Sequence, residues 1–175
     1  DLKAFTDGFY KKYCAASLNP VLDTLLYIKE HTNIWLELTT LVIPGLNDSD
    51  EEITKLATWI LKNLGPETPL HFSAFHPDYK LIHIPSTPES TLKRARKISI
   101  QVGLDYVYTG NIVDNIGFAT FCPNCQKEIV GRNSYALTNY KIKDSKCVFC
   151  GYQISGVFEN TFGNWGNKRL SIKFS

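Results

Sequence analysis

The sequence predicts an α/β fold built on a parallel sheet, followed by a small module that binds a metal through four cysteines. Segments with the pattern of strands begin near residues 34, 70 and 104, and a helical pattern separates each pair. Two Cys-x-x-Cys pairs stand near the end of the chain. Strands alternating with helices are typical of βα units, so part of an α/β barrel fits best, and a doubly wound sheet is the alternative.

The first helix and strand follow from the residues after Ser17. Asn19 before a proline is a favourable N-cap, and apolar residues at helical spacing continue the helix to near His31. The run from Ile34 to Ile43 is β-branched and aromatic, and it is too continuous for a half-exposed strand. It therefore predicts a buried parallel strand.

The next two units repeat this pattern. Ser49 and Glu52 predict a capping box for a helix that ends at Gly65, and residues 70–75 form the second strand. After a loop over 76–86, Thr87 and the proline that follows begin a helix that ends at residue 103, and residues 104–108 form the third strand. Beyond residue 111 the segment to 120 is predicted to be a linker. The predicted domains are 1–113 and 114–175.

The four cysteines of the second module predict a closed tetrahedral site. Two cysteines separated by two residues can direct both sulfurs to one ion, and a second pair completes the coordination. Four thiolates without an open position indicate structural zinc, and iron is permitted in the same geometry. Two disulfides or unligated thiols are the alternatives. The sequence shows no sign of secretion, which disfavours the disulfides. The ligands are Cys122, Cys125, Cys147 and Cys150.

Composition and charge restrict the remaining possibilities. No apolar run approaches the roughly 20 residues of a membrane span and no signal peptide is visible, so we expect a cytoplasmic protein without a membrane partner. Residues 121–175 carry eight Lys/Arg against three Asp/Glu, whereas residues 1–120 carry eleven against fourteen. The chain begins at Asp1 and contains no methionine. We therefore expect it to be a piece of a longer polypeptide.

Five motifs in a fixed order resemble a known enzyme family. They are the Asp-Leu-Lys start, the strand that runs into Pro-Gly-Leu-Asn-Asp, the segment 71–80, the segment 106–111 and the cysteine pairs. Over nearly the whole chain, this order resembles the radical S-adenosylmethionine (SAM) enzyme of the AmmeMemoRadiSam system, which is similar to pyruvate formate-lyase activating enzymes. The resemblance implies the later βα units of a partial (β/α)6 TIM-like barrel, followed by a zinc-ribbon-like module.

The resemblance also implies cofactors and the residues that bind them. Asp1 and Lys3 match the Asp-x-Lys that contacts SAM. Thr39 and Leu41 lie on the strand that lines the SAM cleft, with Thr39 where activating enzymes carry an arginine. His76 matches a histidine of that cleft. No catalytic residue is assigned.

The cysteine loop that binds the family's 4Fe–4S cluster does not occur in this sequence. The intact protein is expected to cleave SAM reductively with that cluster. This chain alone, without the N-terminal half of the barrel as its partner, is expected to be inactive.

Two further hypotheses stay open. The chain could be a zinc-ribbon module that binds nucleic acid or a protein partner, because basic and aromatic residues such as Tyr135 and Tyr140 lie between the cysteine pairs. A solvated basic face is the commoner reason for such a charge pattern. Alternatively, the chain could complete a partner's barrel, since half a barrel exposes unpaired strand edges and apolar surface.

Overall fold

A computed structural model describes residues 1–133 and 136–161 of the chain. The chain separates into two compact units, Asp1–Gly117 and Phe118–Ser175. The α-helices are Asp7–Phe9 (α1), Leu18–His31 (α2), Asp50–Asn63 (α3), Glu89–Val102 (α4) and Asn115–Phe118 (α5), with a π-helical turn over Tyr10–Cys14 and a 3₁₀ turn over Tyr79–Leu81. The strands are Leu38–Val42 (β1), Leu70–Ala74 (β2), Val107–Gly110 (β3), Thr120–Phe121 (β4), Glu128–Asn133 (β5), Ala136–Tyr140 (β6), Ile142–Lys143 (β7) and Lys146–Cys147 (β8). Among the described residues, no helix combines the length and apolar character needed to cross a bilayer.

The first unit contains a parallel sheet of order β1-β2-β3, which confirms the predicted α/β class. Leu70 of β2 pairs with Leu38 of β1 and with Val107 of β3. The chain start lies beside β1, because the Leu2 amide donates to the Thr39 carbonyl at 3.0 Å. Leu2 is therefore the neighbour of Thr40, as in a parallel ladder.

The two faces of this sheet have different environments. Alternate residues of each strand are buried in the core together with the apolar faces of α3 and α4. The residues between them are half-buried or exposed, as the period of two in a strand requires. We call this second side the open face, and it includes Thr39, Leu41, His71, Ser73 and Tyr108.

Two predicted strand boundaries are wrong. The first strand begins at Leu38 rather than Ile34, because pairing with the second strand begins only where the Leu38 amide meets the Pro69 carbonyl at 2.9 Å. Ile34 is 66% exposed. The third strand begins at Val107 rather than residue 104, since the Leu104 amide still bonds the Ser99 carbonyl at the end of α4.

Helix starts also differ from prediction in detail. Helix α2 begins one residue before Asn19, with Ser17 as its N-cap. The Ser49 hydroxyl accepts from the Glu52 amide at 3.2 Å, but the Glu52 carboxylate accepts from the Phe5 amide at 2.7 Å instead of completing the box. Helix α4 begins within the predicted segment, at Glu89 with Pro88 as its N-cap.

The second unit is built from short antiparallel strands. Strands β4, β5 and β6 form one sheet, and β7 pairs with β8. Asp144 and Ser145 join β7 to β8 with φ values of 50° and 56°, the backbone of a type I′ hairpin turn. The segment predicted to be a linker contains α5 and the start of β4. Tyr135 and the tail from residue 162 onward lie outside the described residues.

Candidate functional site

The four predicted cysteine ligands meet in the second unit. Their sulfur atoms all lie within 4.8 Å of one another. The Cys122 and Cys150 sulfurs are 3.6 Å apart, and the Cys125 and Cys147 sulfurs are 3.8 Å apart. A tetrahedral ion with Zn–S bonds of about 2.3 Å needs sulfurs about 3.8 Å apart, whereas a disulfide needs about 2.05 Å. The four-cysteine group therefore has the dimensions to hold a metal ion.

The two cysteine pairs lie in two separate turns that have the same pattern of backbone hydrogen bonds. In the first turn, the Cys122 carbonyl accepts from the Gln126 amide at 2.9 Å and the Cys122 amide donates to the Lys127 carbonyl at 2.9 Å. In the second, the Cys147 carbonyl accepts from the Gly151 amide at 2.8 Å and the Cys147 amide donates to the Tyr152 carbonyl at 2.9 Å. Gln126 and Gly151 both have positive φ, 58° and 75°. The two turns are thus local repeats that present their sulfurs to one point.

The protein environment shifts the pKa values of the Cys122 and Cys150 thiols in opposite directions. Burial raises the pKa of Cys122 to about 12, against the opposing effect of N–H groups donated by Cys125 and Asn124. The Tyr152 amide, together with the Asn124 side chain, lowers the pKa of the exposed Cys150 thiol to about 6. A bound cation favours the thiolate form of every ligand.

In the first unit, four of the five residues predicted to contact SAM lie on the open face. Asp1 and Lys3 are exposed, and the residues between and after them, Leu2 and Ala4, are buried in the core. Because Leu2 is the neighbour of Thr40, Asp1 lies beside Thr39 and Lys3 beside Leu41. The Lys3 ammonium pairs with the Asp1 carboxylate at 2.9 Å. Leu41 is 36% exposed.

The buried side chain of Asn47 fixes Lys3 against β1. Its amide nitrogen donates to the Lys3 carbonyl at 2.7 Å and to the Leu41 carbonyl at 2.9 Å. Its oxygen accepts from the Ile43 amide at 2.7 Å. One side chain therefore joins the Lys3 carbonyl to the carboxyl end of β1. The Pro-Gly-Leu-Asn-Asp motif marked this turn in the sequence but did not indicate its role.

The fifth residue, His76, is exposed and lies in the loop after β2. It follows Phe75, whose amide donates to the Thr87 hydroxyl at 2.9 Å. That hydroxyl also donates to the Val42 carbonyl at 2.6 Å. Thr87 therefore ties the carboxyl end of β2 to that of β1, and His76 lies at this end of the sheet rather than on the open face.

Sequence reasoning missed a polar cluster on the open face. The His71 Nε2 lies 2.8 Å from a Glu37 carboxylate oxygen, and the His71 ring stacks on Tyr108 with centroids 4.8 Å apart. The signal was the alternation of Leu70, His71, Phe72 and Ser73, in which every second residue is polar. This alternation indicates a strand with one accessible face.

Comparison with known proteins gives one relative and no family. No family model matches the chain. The chain is similar to the uncharacterized protein MJ0808 of Methanocaldococcus jannaschii, with 42% identity over 159 residues. The match covers 90% of this chain and 47% of the relative. The chain thus spans about half the length of this curated relative, whose name states no activity.

Proposed function

We propose that this chain is the later part of a radical SAM enzyme related to pyruvate formate-lyase activating enzymes. In this proposal β1, β2 and β3 are later strands of a partial (β/α)6 TIM-like barrel. The supporting observation is the open face, on which Asp1, Lys3, Thr39 and Leu41 are neighbours. In a parallel barrel, the sheet face away from the helices points inward. A relative about twice as long leaves room for the earlier strands.

The residues of the open face suit the polar groups of SAM. The Lys3 ammonium can pair with a methionine carboxylate, and the Asp1 carboxylate can accept hydrogen bonds from an amine or a ribose hydroxyl. These two side chains now pair with each other while 45% and 54% exposed. An exposed pair of this kind contributes little stability, so a ligand can replace it at small cost. Leu41 offers apolar surface, Thr39 a hydroxyl and His76 an imidazole at the strand ends.

The electron for SAM cleavage comes from a 4Fe–4S cluster when that cluster is bound. In this chain, four of the five cysteines form one compact group, and the fifth, Cys14, lies in the first unit. We therefore assign the cluster ligands to the other part of the longer polypeptide. This chain by itself is proposed to be inactive.

We further propose that the four-cysteine group holds zinc in a structural role. Four thiolates leave no position for a substrate or water, and such a site contributes roughly 10–16 kcal/mol to folding when zinc binds. Iron is the alternative occupant. Elemental analysis and an absorption spectrum of the purified chain separate the two, because iron gives thiolate charge-transfer bands and zinc gives no colour.

The enzymatic proposal is tested on the longer polypeptide after anaerobic reconstitution of its cluster. With dithionite and SAM, we expect formation of 5′-deoxyadenosine, measured by chromatography. Lys3→Ala should raise the KM for SAM by roughly tenfold, since a charge-assisted hydrogen bond is worth about 1.5–3 kcal/mol. Lys62→Ala, at an exposed position of α3, is the matched control.

Two results would overturn the proposal. One is the absence of 5′-deoxyadenosine from a wild-type protein with a fully reconstituted cluster. The other is an equal KM in the Lys3→Ala and Lys62→Ala variants, which would remove the open face from the SAM site.

A further inference from the structure

The hairpin of β7 and β8 carries a basic face on its outer side. Lys143 and Lys146 pair directly across the two strands, and both are exposed. The neighbouring pair, Ile142 and Cys147, is buried on the opposite side. Lys141 lies two residues before Lys143 and is also exposed. Lys143 and Lys146 share one side of the hairpin, and the Val148 amide, which donates to the Lys141 carbonyl at 3.1 Å, continues the strand pairing to Lys141. We call these three lysines the basic face.

In the part of the chain that the structure describes, the lysines of the basic face have no acidic side chain as an ion-pair partner. Like charges directly opposite each other destabilise a strand pair. The turn residue Asp144 accepts instead from the Asn160 amide at 3.0 Å. This arrangement favours an anion as the ligand of the hairpin.

Exposed aromatic rings lie next to the basic face. Phe149 is 45% exposed and Tyr152 is 42% exposed, and both belong to the second cysteine turn, which directly follows β8. The Val148 amide donates to the Lys141 carbonyl at 3.1 Å, so this turn begins beside the basic face. The Lys127 ammonium lies 4.8 Å from the Phe149 ring centroid. Aromatic surface and positive charge are therefore interleaved.

We propose that the basic face, together with Phe149 and Tyr152, binds single-stranded nucleic acid. Lysines contact the phosphates, and the exposed rings provide stacking surface for unpaired bases. An acidic peptide would satisfy the lysines but would not need the exposed rings. The site lies wholly in the second unit and does not depend on the enzymatic proposal for the open face.

The test measures binding of a fluorescent oligouridine and an oligothymidine to the 175-residue chain by anisotropy over a range of salt concentrations. We expect affinity to fall steeply with salt, because each neutralised phosphate contributes about −0.7 to the slope of log K against log salt. The double variant Lys143→Gln/Lys146→Gln should reduce that slope by about 1.4. The control Lys62→Gln/Lys97→Gln removes the same charge from exposed helix positions of the first unit and should leave the slope unchanged.

A second variant tests the stacking contribution. Phe149→Ala should weaken binding by roughly tenfold without changing the salt slope, because it removes the stacking surface for one base but no positive charge. Metal content and circular dichroism of each variant check that the cysteine turns remain folded. Equal slopes for the two double variants, or no binding at low salt, would overturn the proposal. The proposal would also be overturned if polyglutamate binds and Phe149→Ala leaves the affinity for the oligonucleotide unchanged. That result would assign the basic face to an acidic protein segment instead.

Discussion

Asn47→Ala should destabilise the α/β unit far more than a typical asparagine substitution. The variant removes three hydrogen bonds, two donated to the carbonyls of Lys3 and Leu41 and one accepted from the Ile43 amide. Each such bond contributes a net of about 1 kcal/mol, and a buried group left unpaired costs about 1–3 kcal/mol. Ile43 is only 6% exposed, so its amide cannot readily turn to water.

The expected loss is about 2–4 kcal/mol, because water can reach the carbonyl of the exposed Lys3 but not the Ile43 amide. With a urea m-value of about 2 kcal/mol per molar, in the middle of the usual range, this loss lowers the unfolding midpoint by about 1–2 M. Far-UV circular dichroism follows the transition through α2, α3 and α4, which all belong to the first unit. The m-value should not change, since the surface exposed on unfolding stays the same.

Asn63→Ala is the matched control for this experiment. Its amide donates to the Trp59 carbonyl at 2.8 Å at an exposed helix end, so its removal should cost less than about 0.5 kcal/mol. Asn47→Asp keeps the acceptor for Ile43 but loses both amide donors, and it should regain stability as acid protonates the carboxyl and restores one donor. If Asn47→Ala unfolds at the same midpoint as Asn63→Ala, the chain start is not held to β1 as described.

Three other variants test separate parts of the structure. Cys150→Ser should reduce the metal content below about one ion per chain. Competition with a chelator should show a loss of metal affinity larger than the roughly 10- to 100-fold loss that follows removal of a residue hydrogen-bonded to a ligand. Burial raises the pKa of Glu52 above its ordinary 4.5, although the hydrogen bond from the Phe5 amide opposes this shift. The folded protein therefore holds the Glu52 proton more tightly than the unfolded chain does. The stability gained in this way is lost as the pH rises through the raised pKa. Glu52→Gln should therefore flatten the decline in thermal stability above pH 4.5. Thr87→Val, which breaks two buried hydrogen bonds, should cost about 1–3 kcal/mol in urea unfolding, and Thr54→Val on the exposed side of α3 should cost much less.

Each of these predictions has a contradicting result. Metal content unchanged in Cys150→Ser would mean that the exposed thiol is not a ligand. A pH profile of Glu52→Gln parallel to wild type would show that this carboxyl does not titrate with a raised pKa. Equal losses in the two threonine variants would mean that Thr87 does not join the ends of β1 and β2.

Much of the α/β unit could be predicted because its signals are local. The helix over Asp50–Asn63 follows from its cap and its apolar spacing, and the glycine at position 103 ends α4 with φ 119°. The apolar run after Ile34 was misjudged because a strand exists only where a neighbour offers its backbone groups. Leu38 has such a neighbour in the second strand. Glu52 was predicted to cap its own helix, but its carboxylate bonds the distant Phe5 amide.

The sequence by itself determined the alternation of strands and helices and which four cysteines form the group that could hold a metal ion. Both depend on side chains a few residues apart, where chain geometry leaves few options. Only the tertiary structure decided that Asn47 fixes Lys3, that the open face unites the chain start with β1, and that the lysines of the β7–β8 hairpin are exposed on one side. Some of these arrangements join residues that are distant in sequence, and others depend on which side of a strand is buried. The packing of the whole chain sets the distant contacts and the choice of the buried side.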